Sequence, residues 1–140
     1  MEVSNQVHPN REQIQAFLGT NGPVNMVNLL KFRETAAYDD GRDPELSGAA
    51  AYGRYAREMK KLVEGSGGRM VFAGKVLGFL LGEVDEAWDQ VAIVEYPSAQ
   101  ALLAIASSPE FQAIEIHRVA GLAGQLNITT RAGGIEELGA

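Results

Sequence analysis

The chain has 140 residues, with 12 basic and 18 acidic side chains, a net charge of −6 and no cysteine. The length suits a single domain over 1–140, and 46% apolar with 21% charged residues excludes disorder, collagen and coiled coil. The acidic balance argues against nucleic acid as a partner, and the lack of cysteine excludes disulfides, thiolate nucleophiles and cysteine-held metals.

The first residues, Met1 to Arg11, are polar and do not follow the charged-then-apolar plan of a signal peptide. The longest apolar run, Val76 to Leu81, is broken by Gly78 and falls well short of the roughly 20 residues that span a membrane. A cytoplasmic location with no membrane partner is the expectation. The acceptor-like Asn127-Ile128-Thr129 and the spaced Gly74, Gly78 and Gly82 carry no secretory or membrane meaning in that setting.

Residues 9–20 read as a short N-terminal helix, because Ile14, Phe17 and Leu18 fall at i, i+3 and i+4 and Gly19 follows. Asn21-Gly22-Pro23 is a turn, and Val24 to Arg33 reads as a strand. Glu34 to Glu45 reads as an exposed loop. Ser47 to Gly65 reads as a helix, with Tyr52, Tyr55, Ala56, Met59 and Val63 on its apolar side and charged residues opposite. Gly65-Ser66-Gly67-Gly68 ends it. Arg69 to Gly82 reads as a second strand whose glycines suggest a bulge or a close backbone approach. Trp88 to Tyr96 is a third strand, stopped by Pro97. Ser98 caps a helix to about Ala106, and Ser107-Ser108-Pro109-Glu110 starts another that ends near Gly121. Ala123 to Thr130 is the last strand, and 131–140 reads as a mobile or partner-held tail.

The order is a preliminary helix followed by β-α-β-β-α-β. That is the ferredoxin-like α+β layout, with an antiparallel sheet over 24–130. Strand parity then divides the side chains between two faces. Val27, Leu29, Val91, Ile93, Leu126 and Ile128 make an aliphatic face. Met26, Asn28, Phe32, Trp88, Gln90, Tyr96, Gln125 and Asn127 make a mixed face of rings and amides. The aliphatic face is expected under the helices. The mixed face is expected to meet a second copy of itself and enclose a lumen. The bland alternative is an open, solvated sheet face.

Several stretches carry a family resemblance: Val27-Asn28-Leu29-Leu30-Lys31-Phe32, the Tyr52/Tyr55 helix, Gly67-Gly68-Arg69, Trp88-Asp89, Val94-Glu95-Tyr96-Pro97-Ser98, and Ser108-Pro109-Glu110-Phe111-Gln112 with Arg118. In their order and spacing the chain resembles the dimeric α/β-barrel superfamily, and within it the family called domain of unknown function 1330. The resemblance implies a homodimer whose two sheets close a barrel. It implies no single activity, since that superfamily includes cofactor-free monooxygenases, isomerases, haem-degrading enzymes and effector domains.

Candidate site residues each have two readings. Asn28 either binds a ligand or makes a structural bond to Gln125, Asn127 or a neighbouring strand. Trp88 stacks on a planar ligand or anchors a core or dimer contact. Lys31 and Glu95, each following two aliphatic residues of its own parity, form an acid–base pair or a structural ion pair. His117 is the general base or a packing residue. Arg118 clamps an anionic substrate or pairs with a carboxylate. Tyr52 and Tyr96 line the site beside Tyr55 or complete the core. No phosphate loop, nucleophile elbow or zinc motif is present in the sequence. The reading that follows is a homodimer binding a small organic molecule between sheet and helices or in the barrel lumen. Its chemistry would be that of a cofactor-independent monooxygenase or isomerase, using no metal. The rivals are a haem-binding or haem-degrading protein, and a non-enzymatic ligand-binding or structural dimer.

Overall fold

The computed structural model describes residues 2–139. Positions 1 and 140, which bound the single domain and the tail expected from the sequence, lie outside that range. The elements run α1 (Arg11–Leu18), β1 (Val24–Phe32), α2 (Gly48–Gly65), β2 (Arg69–Lys75), β3 (Gln90–Tyr96), α3 (Ala99–Ala106), α4 (Pro109–Gly121) and β4 (Leu122–Thr130). The strands form one antiparallel sheet in the order β2-β3-β1-β4. The α+β, ferredoxin-like layout with an extra N-terminal helix is the one the chain order predicts.

Side-chain caps set the helix starts. Asn10 and Gln13 exchange hydrogen bonds in a capping box ahead of α1. Ser47 caps α2, Ser98 caps α3 and Ser108 caps α4, each hydroxyl accepting from a backbone N–H in the first turn. Pro109 then sits where its missing N–H costs nothing.

Two expectations about local structure change. β2 stops at Lys75 rather than Gly82, because its ladder partner β3 begins only at Gln90. One further bond follows, from the Val76 N–H to the Asp89 carbonyl, and the chain then leaves the sheet. The segment beyond is an apolar arm on which Leu77 and Leu81 are 93% and 89% exposed. The expected bulge is present, but at Val71, between Met70 and Phe72, and not at a glycine. The stretch from Glu34 to Glu45 is likewise no free loop. Ala36 and Tyr38 are buried against Ala51 and Ala120, and the Ala36 and Ala37 N–H groups bond to Leu46 and Ala120 carbonyls.

The largest correction concerns the sheet faces. Parity divides the side chains as expected, but the layers are exchanged. The helices cover the mixed face. Val24, Met26, Val94 and Tyr96 from the sheet pack with Tyr55, Met59, Val63 and Ile105 from the helices to form the core. The aliphatic residues Val27, Leu29, Val91 and Ile93 lie on the open side, with Phe72 opposite Ile93 and 54% exposed. The lumen expected on the mixed face is therefore closed by the chain's own helices.

The two long helices are locked where α2 begins and α4 ends. A Cβ on Gly121 would run into the Gly48 carbonyl and the Tyr52 backbone nitrogen, and one on Gly48 into the Arg33 backbone. The Arg33 N–H donates to the Gly121 carbonyl at 2.8 Å. Only glycine permits this approach. Gly121→Ala should lower the unfolding free energy by about 1–3 kcal/mol through overpacking, read from urea denaturation.

Candidate functional site

Between the helices and the mixed sheet face lies a cavity of about 980 Å3. Its roof is the inner stripe of α2 (Tyr52, Tyr55, Ala56 and Met59) and of α4 (Phe111, Glu115 and Arg118). Its floor carries Asn28, Gln90, Ala92, Tyr96 and Gln125, and its rim includes Val7, His8 and Phe17 from the N-terminal segment. Helical spacing explains the roof: Phe111, Ile114, Glu115 and Arg118 recur at i, i+3, i+4 and i+7.

Three side chains form an ordered polar chain across the cavity floor. Arg118 donates to the Gln125 Oε1 at 2.7 Å, and the Gln125 amide donates to the Asn28 Oδ1 at 2.7 Å. The Asn28 amide in turn donates to the carbonyls of Ala92 at 3.2 Å and Met26 at 3.3 Å. Asn28 therefore makes the structural bond to Gln125 that was one of its two readings. Among the described residues no carboxylate lies within ion-pair distance of Arg118.

Tyrosines Tyr52, Tyr55 and Tyr96 frame the same space. Burial pushes the Tyr52 phenol up to about 12, with the nearby Arg118 charge opposing the shift. Burial also raises Tyr55, reinforced by Tyr52, and raises Tyr96 in the same way. All three stay protonated at neutral pH and can donate. None of their hydroxyls has a hydrogen-bond partner among the described residues, yet none is sealed off, so each keeps contact with open space.

Other residues singled out in the sequence lie elsewhere. Lys31 and Glu95 do not pair. They stand at opposite ends of the β1–β3 ladder, because antiparallel register sets Asn25 beside Glu95 and Leu30 beside Gln90. Both have the parity of the open face. Lys31 reaches Asp89 at 3.5 Å, and Glu95 reaches Arg69 at 3.2 Å. Asp89, which sequence reasoning passed over, also accepts from the Phe32 N–H at 2.8 Å and fixes the end of that ladder. Trp88 is half-buried just before β3 and does not line the cavity. The Asn28, Trp88 and His117 set considered for haem thus does not converge, and these residues do not fit the group.

His117 faces away from the cavity, toward the chain after β1. Its Nδ1 lies 2.7 Å from the Tyr38 hydroxyl, to which the Arg54 guanidinium donates at 3.3 Å. The hydroxyl thus joins the imidazole of α4 to the guanidinium of α2. Arg54 is held by Asp43 at 2.8 Å. Burial, with Arg54 and Arg42 nearby, lowers the His117 pKa, and Asp43 partly offsets this. Among the described residues no group of three or more His, Asp or Glu side chains is placed to hold a metal ion, and no helix is long and apolar enough to cross a membrane.

The family model described as domain of unknown function (DUF1330) matches residues 43–131. The RPA0582 protein of Rhodopseudomonas palustris, a protein of unknown function, is 32% identical, covering 94% of this chain and 99% of its own, with a TM-score of 0.83. SnoaB, a cofactor-independent oxygenase from Streptomyces nogalater, is 17% identical over 81% of this chain and 96% of its own, with a TM-score of 0.51. Hydroxynitrile lyase from Passiflora edulis is 11% identical over 77% of this chain and 91% of its own, with a TM-score of 0.54. The last two likenesses are of fold. No curated protein matches the chain.

The His117 environment has a pH signature. Its folded pKa lies below the unfolded value of about 6.5, so the unfolded chain takes up the proton first. This contribution to stability is complete above that value and declines as pH falls below it. Thermal unfolding at pH 7.5 and 5.5 should show the decline. His117→Gln, which keeps a hydrogen-bonding side chain beside Tyr38 and does not titrate, should flatten it.

Proposed function

The chain belongs to the DUF1330 family, a domain of unknown function, and from that premise we propose that it binds a small organic molecule in the cavity between its sheet and its helices. One observation carries this reading. Phenols from Tyr52, Tyr55 and Tyr96 border a cavity of about 980 Å3, and their hydroxyls have no partner among the described residues. Buried polar groups are normally satisfied by protein, water or ligand, and a space of this size suits a small molecule.

The chemistry that such a lining supports is stabilisation of negative charge on an oxygen. Arg118 contributes a fixed positive charge, and the phenols contribute donors that need not reorganise. Enolate-type intermediates make that demand, in isomerisation and in cofactor-independent oxygenation alike. Glu115 is the carboxylate of the cavity lining, with His8 at 3.8 Å from it. It is the group placed to take a proton from a bound molecule, in the role the sequence had suggested for His117 or for Glu95 with Lys31.

A homodimer follows from the other side of the sheet. The aliphatic open face is too apolar to remain in water, and a second sheet of the same kind is its natural cover. Sedimentation should give a dimer, and Ile93→Asp, which sets a charge in the middle of that face, should give a folded monomer. The cavity itself is tested with N-phenyl-1-naphthylamine, a neutral probe that fluoresces in apolar surroundings. It should bind the wild-type protein, and Ala56→Trp, which fills the roof, should abolish the signal with circular dichroism unchanged. Equal binding by both proteins would refute the cavity reading.

A further inference from the structure

We infer that the ligand of this cavity is an organic acid: a carboxylate on a flat apolar body, held by Arg118 through a guanidinium that Gln125 and Asn28 aim. The inference rests on the cavity being the binding site. It starts from a charge without a counter-charge. Arg118 is half-buried and pairs with no carboxylate among the described residues. Among the described residues its side chain makes one hydrogen bond, to Gln125, which uses one of five N–H donors. Glu115 lies one turn earlier on α4, but its carboxylate is the one near His8.

The polar chain beneath Arg118 has a single direction. Backbone carbonyls of Met26 and Ala92 hold the Asn28 amide, the Asn28 oxygen holds the Gln125 amide, and the Gln125 oxygen holds the guanidinium. Turning either amide over would set donor against donor. The backbone of the sheet thereby dictates where the cation sits, and the free edge of the chain is the guanidinium fork. That fork matches the planar, two-oxygen end of a carboxylate.

The remaining walls specify the rest of the molecule. The phenols of Tyr52, Tyr55 and Tyr96 are protonated donors, which favours an acceptor-rich ligand. Rings of Tyr52 and Tyr55 lie 5.3 Å apart, Phe32 and Tyr52 5.4 Å, and Tyr55 and Phe111 6.1 Å. Such a ring-lined space receives a flat apolar body. A neutral ligand would leave the guanidinium without a bonded carboxylate, and a cation would be repelled by it.

The test compares two probes of one shape: 1-anilinonaphthalene-8-sulfonate, whose sulfonate stands for the carboxylate, and neutral N-phenyl-1-naphthylamine. Fluorescence titration should show Arg118→Gln binding the sulfonate at least about tenfold more weakly than wild type, the loss of a charged hydrogen-bonded pair. Binding of the neutral probe should not change. Gln125→Met should weaken the sulfonate several-fold and again spare the neutral probe, which a purely structural role would not do. Should Arg118→Gln fail to fold, Arg118→Lys keeps the charge without the fork and should still lose several-fold for the sulfonate. If the neutral probe binds in the cavity and sulfonate affinity is equal in wild type and the Arg118 variant, the acid assignment is overturned and the cavity stands. If neither probe binds, or if Ala56→Trp binds both as wild type does, the cavity reading falls and the acid assignment with it.

Discussion

The close approach of α2 and α4 is the constraint on which the rest depends. Where Gly48 and Gly121 meet, backbone touches backbone, and the chain leaving β1 is wedged into the same junction at Arg33. The helices pack extensively on each other and make few backbone approaches to the strands. The layer they form is braced at that junction and by the core of Tyr55, Met59, Val63 and Ile105. Between these fixed points it roofs a cavity instead of filling the space above the sheet.

The two faces of the sheet then serve different ends. On the covered face, bulky rings and amides can coexist because the space above them is open enough to hydrate or to hold a ligand. The amides of Asn28 and Gln125 are oriented there, and the hydrogen bonds run from the Arg118 guanidinium down to the backbone carbonyls without a gap. On the open face the middle of the sheet carries Val27, Leu29, Val91 and Ile93, branched side chains of the kind that suits sheet-on-sheet packing. The arm after β2 adds exposed leucines to the surface that the chain leaves uncovered.

Electrostatics follow the same division. The titratable groups expected to do chemistry are spent on structure. Lys31 and Asp89 secure one end of the central ladder, Arg69 and Glu95 the other. His117 clasps Tyr38 and ties the segment after β1 to α4, the helix that carries Arg118. What lines the cavity is the cation of Arg118, neutral phenols and the carboxylate of Glu115, with His8 and Lys60 in the lining as well, a set suited to an acidic guest.

Much of this was legible in the residues. Period 3.6 in Tyr52, Tyr55, Ala56, Met59 and Val63 identifies the inner stripe of α2, and serine caps mark the starts of α3 and α4. Period 2 separates Met26 and Asn28 from Val27 and Leu29, which is all that alternation can do. It cannot say which face the helices cover, because both faces of this sheet are apolar enough to be buried. Antiparallel register, a property of two strands together, parts Lys31 from Glu95 although each looks alike along its own strand. Nor does any local pattern tell that Tyr38, in a segment rich in aspartate, folds back against α4. Local propensity and periodicity therefore determined the elements and the membership of each face. Only the packing of helices on the sheet decided which face holds the cavity, and so which of the polar residues point into it.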